Sequence, residues 1–358
     1  MHCRWFLFLL AAIPGLMLWT TSQGATDTVR PYLERSDDWF RTDEATRIAA
    51  NVLSWQANEG GWPKNTDTTK PFGGERAKLQ GTFDNSATTD ELRFLARMLG
   101  ASDFGPAQSY SNAFARGLDY ILKAQYTNGG WPQYAPPPAN KYHRHITFND
   151  NSIARLMIFL REVATEKRYG FVGQRQRLAA QRAFDRGVGC ILRCQITVNG
   201  KLTAWCAQHD EIDFSPRPAR TYELASLSGS ESVGIVRLLM SLEQPSPEVI
   251  RAVDAAAAWL ESAKLPGLKV EQITDKNSPE GTDKVVVKDT NARPMWARFY
   301  DIETGQAIFA GRDGVKKYSL AEIEYERRDG YSWLGYWPEA LLVKEYPAWK
   351  AKVAAKAN

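Results

Sequence analysis

Histidine and cysteine are scarce in this 358-residue sequence, four of each, and net charge is small, +4 from 45 basic and 41 acidic side chains. So slight a surplus argues against nucleic acid as a partner, which would want a basic patch. It leaves room for a local basic cleft that faces an acidic polymer. The few histidines form no ligand cluster legible in the sequence: His143 and His145 are two apart and alternate sides if extended. A zinc site on the cysteines is disfavoured because no fourth ligand stands at a usual spacing. Long apolar runs are missing beyond the first twenty residues, so no later segment is apolar enough to span a membrane.

The opening residues read as an address rather than as fold. Met1-His2-Cys3-Arg4 is a short basic start, Trp5 to Trp19 is an apolar run broken by Pro14-Gly15, and small polar residues follow to Gly24. The expectation is a secretory signal over residues 1–24, cut near Gly24 or Ala25, and an exported mature chain, secreted or periplasmic. Cys3 leaves with it. Cys190 and Cys194 then share a helix face, Cys206 lies beyond a turn, and one disulfide from Cys206 to either is permitted in an oxidising compartment.

What is abundant is aromatic: twelve Trp and fourteen Tyr. Such an excess lines sites for ring-shaped ligands or fills a core between helices. The chain also repeats itself. Leu53-Ser54-Trp55-Gln56 runs into Asn58-Glu59-Gly60-Gly61-Trp62-Pro63, Leu122-Lys123-Ala124-Gln125 into Asn128-Gly129-Gly130-Trp131-Pro132, and Leu192-Arg193-Cys194-Gln195 into Asn199-Gly200. The glutamines are 69 and 70 residues apart, and a fourth helix end near Trp259-Leu260 falls close to the same phase. Second segments start at Thr82-Phe83-Asp84-Asn85-Ser86, at Thr147-Phe148-Asn149-Asp150-Asn151-Ser152 and at Ser228-Gly229-Ser230-Glu231, each followed by apolar residues at helical spacing. Three or more helical hairpins must bury their faces on one another. Closing them into a ring predicts an all-α (α/α)₃ toroid, with Asp84, Asp150 and the loop before Glu231 gathered at one end. After Pro266 the pattern stops; Val285-Val286-Val287 predicts a strand in a loop-rich C-terminal region.

Two groups of residues can carry chemistry. Asp84 and Asp150 occupy similar helix starts, where Asp and Asn serve as N-caps; alternatively their oxygen-bearing neighbourhood suits Ca²⁺. Arg217 and Arg220 lie on a loop stiffened by Pro216 and Pro218, and Arg293, Arg298 and Arg312 follow. Loop arginines usually pair with nearby acids or solvent, but their guanidinium forks also match carboxylates. Arginines beside an acidic cation site suit a polymer of sugar acids.

Asn58-x-Gly-Gly-Trp-Pro-Lys-Asn65, Thr82-Phe-Asp-Asn-x-Ala-Thr88, Trp205-Cys-Ala-Gln-His-Asp210, Ala219-Arg-Thr-Tyr-Glu223 with Ser228-Gly-Ser-Glu-Ser232, and Arg298-Phe-Tyr-Asp301 with Gly311-Arg-Asp-Gly-x-Lys-Lys-Tyr318 resemble family 10 polysaccharide lyases, the pectate lyases with an (α/α)₃ toroid. The resemblance runs from about Trp39 to Pro338 and implies one pectate lyase domain over residues 25–358, monomeric, acting on polygalacturonate by Ca²⁺-assisted β-elimination. It implies that Asp84 and Asp150 act at the calcium and the substrate carboxylate, and that Arg220 abstracts the C5 proton, with Arg217 the lesser candidate. Arg298 and Arg312 would hold uronate groups, and Lys64 and Asn85 would also touch substrate. Arginine is an unusual base because it is normally protonated, so an alkaline optimum is expected. Two rivals remain: a glycoside hydrolase with Asp84 and Asp150 as acid and base, and a binding protein that leaves acidic glycans intact.

Overall fold

The structure, a computed structural model, describes residues 29–101, 107–139, 141–276, 278–279 and 281–357. The expected signal segment lies outside these residues. Seven long helices come first: α1 (Asp43–Ser54), α2 (Thr89–Ala101), α3 (Ala107–Ala124), α4 (Ser152–Thr165), α5 (Gln174–Cys194), α6 (Glu231–Met240) and α7 (Pro247–Ser262). Local signals set their starts. Thr42 Oγ1 accepts from Ala45 N ahead of Asp43 and Glu44 at α1. Ser246 Oγ accepts from Val249 N, with Pro247 in the first turn, at α7.

Burial separates the helices into two rows. α1 buries one stripe, Ala45, Ile48, Ala49 and Val52, the spacing of a helix with one face on a core. α6 buries nearly all of its surface, Glu231 through Val236 together with Leu238 and Leu239, and α2 and α4 are almost as enclosed. Contacts follow the same division. α2 packs on α4 and α4 on α6 in an inner row; α1 packs on α3, α3 on α5 and α5 on α7 in an outer row.

The sequence repeat has a physical purpose. Each repeated glutamine stands just past an outer helix, and its side-chain amide donates to two carbonyls. Gln56 bonds Gly60 and Ala113, Gln125 bonds Gly129 and Ala183, and Gln195 bonds Thr203 and Ala252, all at 2.8–2.9 Å. The second acceptor always lies in the next outer helix, so the glutamine ties one hairpin to its successor. The glycine of the following loop is equally constrained. Gly129 has φ +93° and a Cβ there would collide with the Arg186 carbonyl; Gly60, at φ +109°, stands in the same way against Arg116. Trp62, Trp131 and Trp205 are fully buried and donate from Nε1 to the carbonyls of Val52, Ile121 and Ile191. Trp296 does the same to Leu260, which makes the helix end near Leu260 a fourth unit, in the expected phase. These four tryptophans are core.

The C-terminal region is loop-rich, as expected. Val285–Val287 lie in a strand, Thr282–Lys288, antiparallel to Leu268–Thr274. A short pair docks the region on the third hairpin, Phe299–Tyr300 on Leu227–Ser228, and another, Trp296–Ala297 on Leu334–Gly335, closes the region on itself. Two further helices follow, α8 (Tyr325–Asp329) and α9 (Tyr346–Ala357). Tyr222, Phe299, Ile308, Phe309, Leu320 and Trp333 form a second apolar cluster beneath these loops.

Two expectations change. Cys190, Cys194 and Cys206 are all free and buried, so the permitted disulfide does not form; Cys206 Sγ instead donates to Arg217 O and accepts from Ser226 N. Nor are Asp84 and Asp150 helix caps. Asp84–Ser86 and Asn149–Asn151 form single 3₁₀ turns ahead of the helices, and no side chain caps either turn. α2 therefore begins at Thr89, five residues beyond Asp84, whereas α4 and α6 begin at Ser152 and Glu231, close to the expected starts.

Candidate functional site

The two acidic turns have the same backbone in a different register of side chains. Thr82 N donates to Trp62 O and Thr147 N to Trp131 O; Phe83 N donates to Gln133 O and Phe148 N to Ala207 O. Left-handed residues then follow: Asn85 and Ser86 at φ 51° and 67°, Asp150 and Asn151 at φ 51° and 60°. Asn and Asp tolerate this region better than most residues. Asp84 thus matches Asn149, and Asn85 matches Asp150: the two carboxylates are not at equivalent positions, contrary to the sequence reading. They are nonetheless brought together. Ser152 Oγ donates to Phe83 O at 3.0 Å across the two turns. The Arg155 guanidinium bonds Ser86 Oγ at 2.6 Å and feels the charges of Asp84 and Asp150.

Each carboxylate already has a cation. Asp84 is 2% exposed; its Oδ2 takes Lys64 Nζ and Gln133 Nε2, the latter at 2.7 Å, and its Oδ1 accepts from Asn85 N. Burial presses the Lys64 pKa down, but the charge and hydrogen bond of Asp84 outweigh it and leave the ammonium more firmly protonated than usual. Asn85 donates to Asn65 Oδ1. Asp150 Oδ1 meets Arg298 Nη2 at 3.2 Å while its Oδ2 accepts from Asn149 Nδ2 at 2.7 Å. Arg298 Nη2 also reaches Asn149 Oδ1 and Glu231 Oε1. Burial disfavours the Arg298 charge, yet Glu231, Tyr331 and Asp150 hold it well above the ordinary arginine value.

The third group surrounds Arg220. Its Nε donates to Glu223 Oε2 at 2.8 Å and its Nη2 to Glu223 Oε1 at 2.5 Å. The guanidinium lies over Tyr222 at 4.8 Å and over Tyr331 at 5.6 Å. Burial alone would lower its pKa; the hydrogen bond and charge of Glu223 reverse that, and the net direction is upward. The ion-free chain therefore opposes the depressed pKa expected of a base. Arg312 approaches the same Tyr222 ring at 5.7 Å and pairs with Glu326, largely exposed. Arg217 is engaged elsewhere, with Asp210 at 2.9 Å.

Several participants escaped the sequence reading. Gln133 occupies in the second repeat the place of Lys64 in the first, so aligning Gly60-Gly61-Trp62-Pro63-Lys64 on Gly129-Gly130-Trp131-Pro132-Gln133 could have found it. Glu231 lies in a motif already quoted but carries no role there, whereas Glu223 is one of the nearby acids with which a loop arginine pairs. Tyr142 is half-buried, with burial raising its pKa and with the charges of Arg220, Glu223 and Lys64 all acting on it, so it feels both groups. Tyr331 had no local signal. A different cluster, His145 with Asp210 and Glu211, was also missed because 66 residues separate His145 from Glu211. Its acids are already paired: Glu211 with Arg144 and His145, Asp210 with Arg217.

Two buried oxygens near the acidic turns, Gln133 Oε1 and Asn151 Oδ1, have no hydrogen-bond partner among the described residues. Orphaned buried acceptors are rare and call for an explanation. With Asp84, Asn85 and Asp150 on the same turns, the donor chemistry on offer is oxygen, the kind a hard divalent cation takes.

A family model for pectic acid lyase matches residues 56–342. Two solved structures are similar. One is a mutant of the family 10 polysaccharide lyase from Cellvibrio cellulosa in complex with trigalaturonic acid; it is 35% identical, with a TM-score of 0.73 over 85% of this chain and 94% of that one. The other is the family 10 polysaccharide lyase from the same organism, 34% identical, with a TM-score of 0.72 over 89% and 97% of the two chains. No curated protein matches the chain.

Proposed function

The chain belongs to the pectic acid lyase family, the family 10 polysaccharide lyases, and on that footing we propose that it is a pectate lyase that cleaves polygalacturonate by Ca²⁺-assisted β-elimination. The observation that carries this reading is the alternation of charge across the adjoining turns: Asp84 with Lys64, Asp150 with Arg298, and the Arg220–Glu223 pair, whose charges act on Tyr142 as that of Lys64 does. A neutral sugar would need none of these cations. A chain of uronates needs several, at the spacing of its carboxylates.

In this reading Asp84 and Asp150, with the unpartnered oxygens of Gln133 and Asn151, hold Ca²⁺. The ion supplies charge neutralisation at the substrate carboxylate, whose negative charge grows as the C5 proton leaves. Among the described residues the buried Arg298 Nε–H has no partner, a donor that a uronate oxygen can satisfy. Lys64 and Asn85 lie on the Asp84 side and Arg312 on the Tyr222 side, so the substrate would run from one to the other past Tyr142. Arg220 takes the C5 proton. Because Glu223 favours its protonated form, the neutral base is scarce without a further cation nearby, which supports an alkaline optimum. The two rows of helices, and the likeness to family 10, support closure as an (α/α)₃ toroid. We further propose a monomer exported by means of residues 1–24.

One assay tests the reading. Polygalacturonate incubated with the protein and Ca²⁺ should gain the ultraviolet absorbance of a 4,5-unsaturated uronate, and a chelator should abolish the gain. New reducing ends without absorbance would make the protein a hydrolase; an intact polymer would make it a binding protein.

A further inference from the structure

Arg220 donates three hydrogen bonds, and all of them go to one carboxylate. Its backbone N and Nε donate to Glu223 Oε2 and its Nη2 to Glu223 Oε1. Among the described residues Nη1 has no hydrogen-bond partner, and the side chain is 44% exposed while that of Glu223 is 5% exposed. Glu223 is itself fixed from the other side: Tyr331 donates its hydroxyl to Oε1 at 2.7 Å. The Tyr331 ring is wedged between the guanidiniums of Arg220 and Arg298, at 5.6 and 4.9 Å.

A neutral guanidine has one imine nitrogen and it can be any of three. A carboxylate that accepts from Nε and from Nη2 requires a hydrogen on each of them. That excludes Nε as the imine and disfavours Nη2, which as an imine would hold Oε1 by a single, weaker N–H, so the lone pair is favoured on Nη1, the nitrogen that Glu223 does not touch. We propose that Glu223, oriented by Tyr331, is the positioning residue that selects the Nη1 imine tautomer of Arg220 and stabilises the guanidinium formed when that nitrogen takes the C5 proton. The proposal rests on Arg220 being the base. The logic is that of a buried aspartate behind a catalytic histidine, which sets the tautomer and supports the cation without being protonated. The step balances: the Nη1 lone pair takes the proton, the C5–H pair becomes the second C4–C5 bond, and the C4–O4 bond breaks toward oxygen. That oxygen takes a proton from water, and the guanidinium later returns its own to solvent.

The carboxylate has two opposed effects. It supports the cation that forms, but it also keeps the resting arginine protonated, the upward shift noted above. Other groups facing Arg220 are Tyr222 and Tyr331 at its ring contacts, Tyr142, Arg312 and Arg327 across the Tyr222 ring, and Arg298 across Tyr331. None of these groups hydrogen-bonds the guanidinium nitrogens.

The test is Glu223→Gln in the full chain with Ca²⁺ and polygalacturonate, its fold checked by circular dichroism. The amide offers one acceptor and one donor, so it draws an imine nitrogen toward itself. The expected result is a fall in kcat of about 10²–10⁴-fold with KM little changed. The acid limb of the kcat–pH profile should move to lower pH, because the guanidinium has lost its counter-charge. Tyr331→Phe should move the same limb in the same direction and lower kcat by roughly 10-fold; it decides the matter if Glu223→Gln does not fold. Variants that melt earlier but keep the wild-type kcat and acid limb would leave Glu223 a loop tie and overturn the inference. Arg220→Ala run alongside separates the two levels. If it turns over at the wild-type rate, the base assignment has failed and the tautomer argument with it; if it is inactive while Glu223→Gln is normal, only the tautomer argument has failed.

Discussion

Lys64 and Gln133 reach the same carboxylate oxygen of Asp84 from two successive hairpins. Exchanging that oxygen for an amide would remove the charge and keep the shape. Asp84→Asn and Asp150→Asn should each weaken Ca²⁺ binding by at least about 10-fold, measured by calorimetric titration, in keeping with the sensitivity of such sites to the number of charged ligands. Unchanged affinity in both variants would remove the metal from these turns. Stability should respond more to Asp84, since Asp84→Ala leaves Lys64 beside a buried gap, and breaking a buried pair costs about 3–5 kcal/mol. Lys64 retains some exposure, 24% of its side chain, so the loss should fall at the lower end. This revises the smaller cost a lost helix cap would carry, because Asp84 caps nothing.

At the scale of the helix hairpin, the repeated glutamine carries the most information per residue. Gln125→Ala would strip the buried Gly129 carbonyl of its donor, at about 1–3 kcal/mol for a group left unsatisfied, and would remove the tie to Ala183, whose carbonyl keeps its bond within α5. The melting temperature should fall while kcat/KM of the folded fraction stays near wild type, because Gln125 touches no candidate site residue. This part of the molecule was readable beforehand. The Gln spacing, the Gly-Gly-Trp-Pro loops and the apolar stripes all express local rules repeated at one period. The acidic turns were read less well. Left-handed backbone at Asn85, Ser86, Asp150 and Asn151 delays α2 and shifts the carboxylates out of register, and a Thr-Phe-Asp-Asn string looks the same whether its Asp caps a helix or precedes a turn. Arg220 stands out in the sequence, and Glu223 is among the nearby acids that a loop arginine pairs with. Tyr331, more than a hundred residues further on, could not have been found, since only the docking of the C-terminal region on the third hairpin brings it there.

Over the whole molecule, two buried groups set opposite ends of the pH range. His209 is neutral and fixed at both nitrogens, with Nδ1 donating to Phe214 O and Nε2 accepting from Cys206 N. Burial pushes its pKa from the usual 6.5 to about 4. The unfolded chain therefore binds this proton first, and the stability His209 contributes is complete above about pH 6.5 and is lost as pH falls from there toward 4. Glu91 behaves in the opposite sense. Burial first, and the Asp90 charge next, raise its carboxyl to about 8, so the folded chain keeps a proton that the unfolded chain gives up. Stability is lost as pH rises from about 4.5 to 8. Glu91→Gln should flatten that alkaline slope, with melting temperatures at pH 6 and pH 9 drawing together; a slope equal to wild type would place the cause elsewhere. For an enzyme expected to work in alkali, this carboxyl is a standing disadvantage at its working pH.

The fourth tryptophan adds one consequence. Trp62, Trp131 and Trp205 bond carbonyls 10 to 14 residues back, but Trp296 bonds Leu260 across 36. The extra length goes mainly into the hairpin of Leu268–Thr274 and Thr282–Lys288, which leaves and returns at one place, where Leu265 N donates to Met295 O at 2.8 Å. Such a junction is a natural splice point. The excursion can be lengthened, shortened or exchanged for a foreign hairpin while the indole still finds its carbonyl. It is tethered to α8, through Arg328 with Asp283 and Lys284 with Asp329, and its second strand also packs on the Leu320–Glu322 turn. Replacing the hairpin by a two-residue turn should therefore leave the fourth unit closed and loosen α8, whose Arg327 packs on Tyr222 beneath Arg220. Relatives differing in this one segment would be expected to differ in how they grip the far end of the polymer, and not in how they fold.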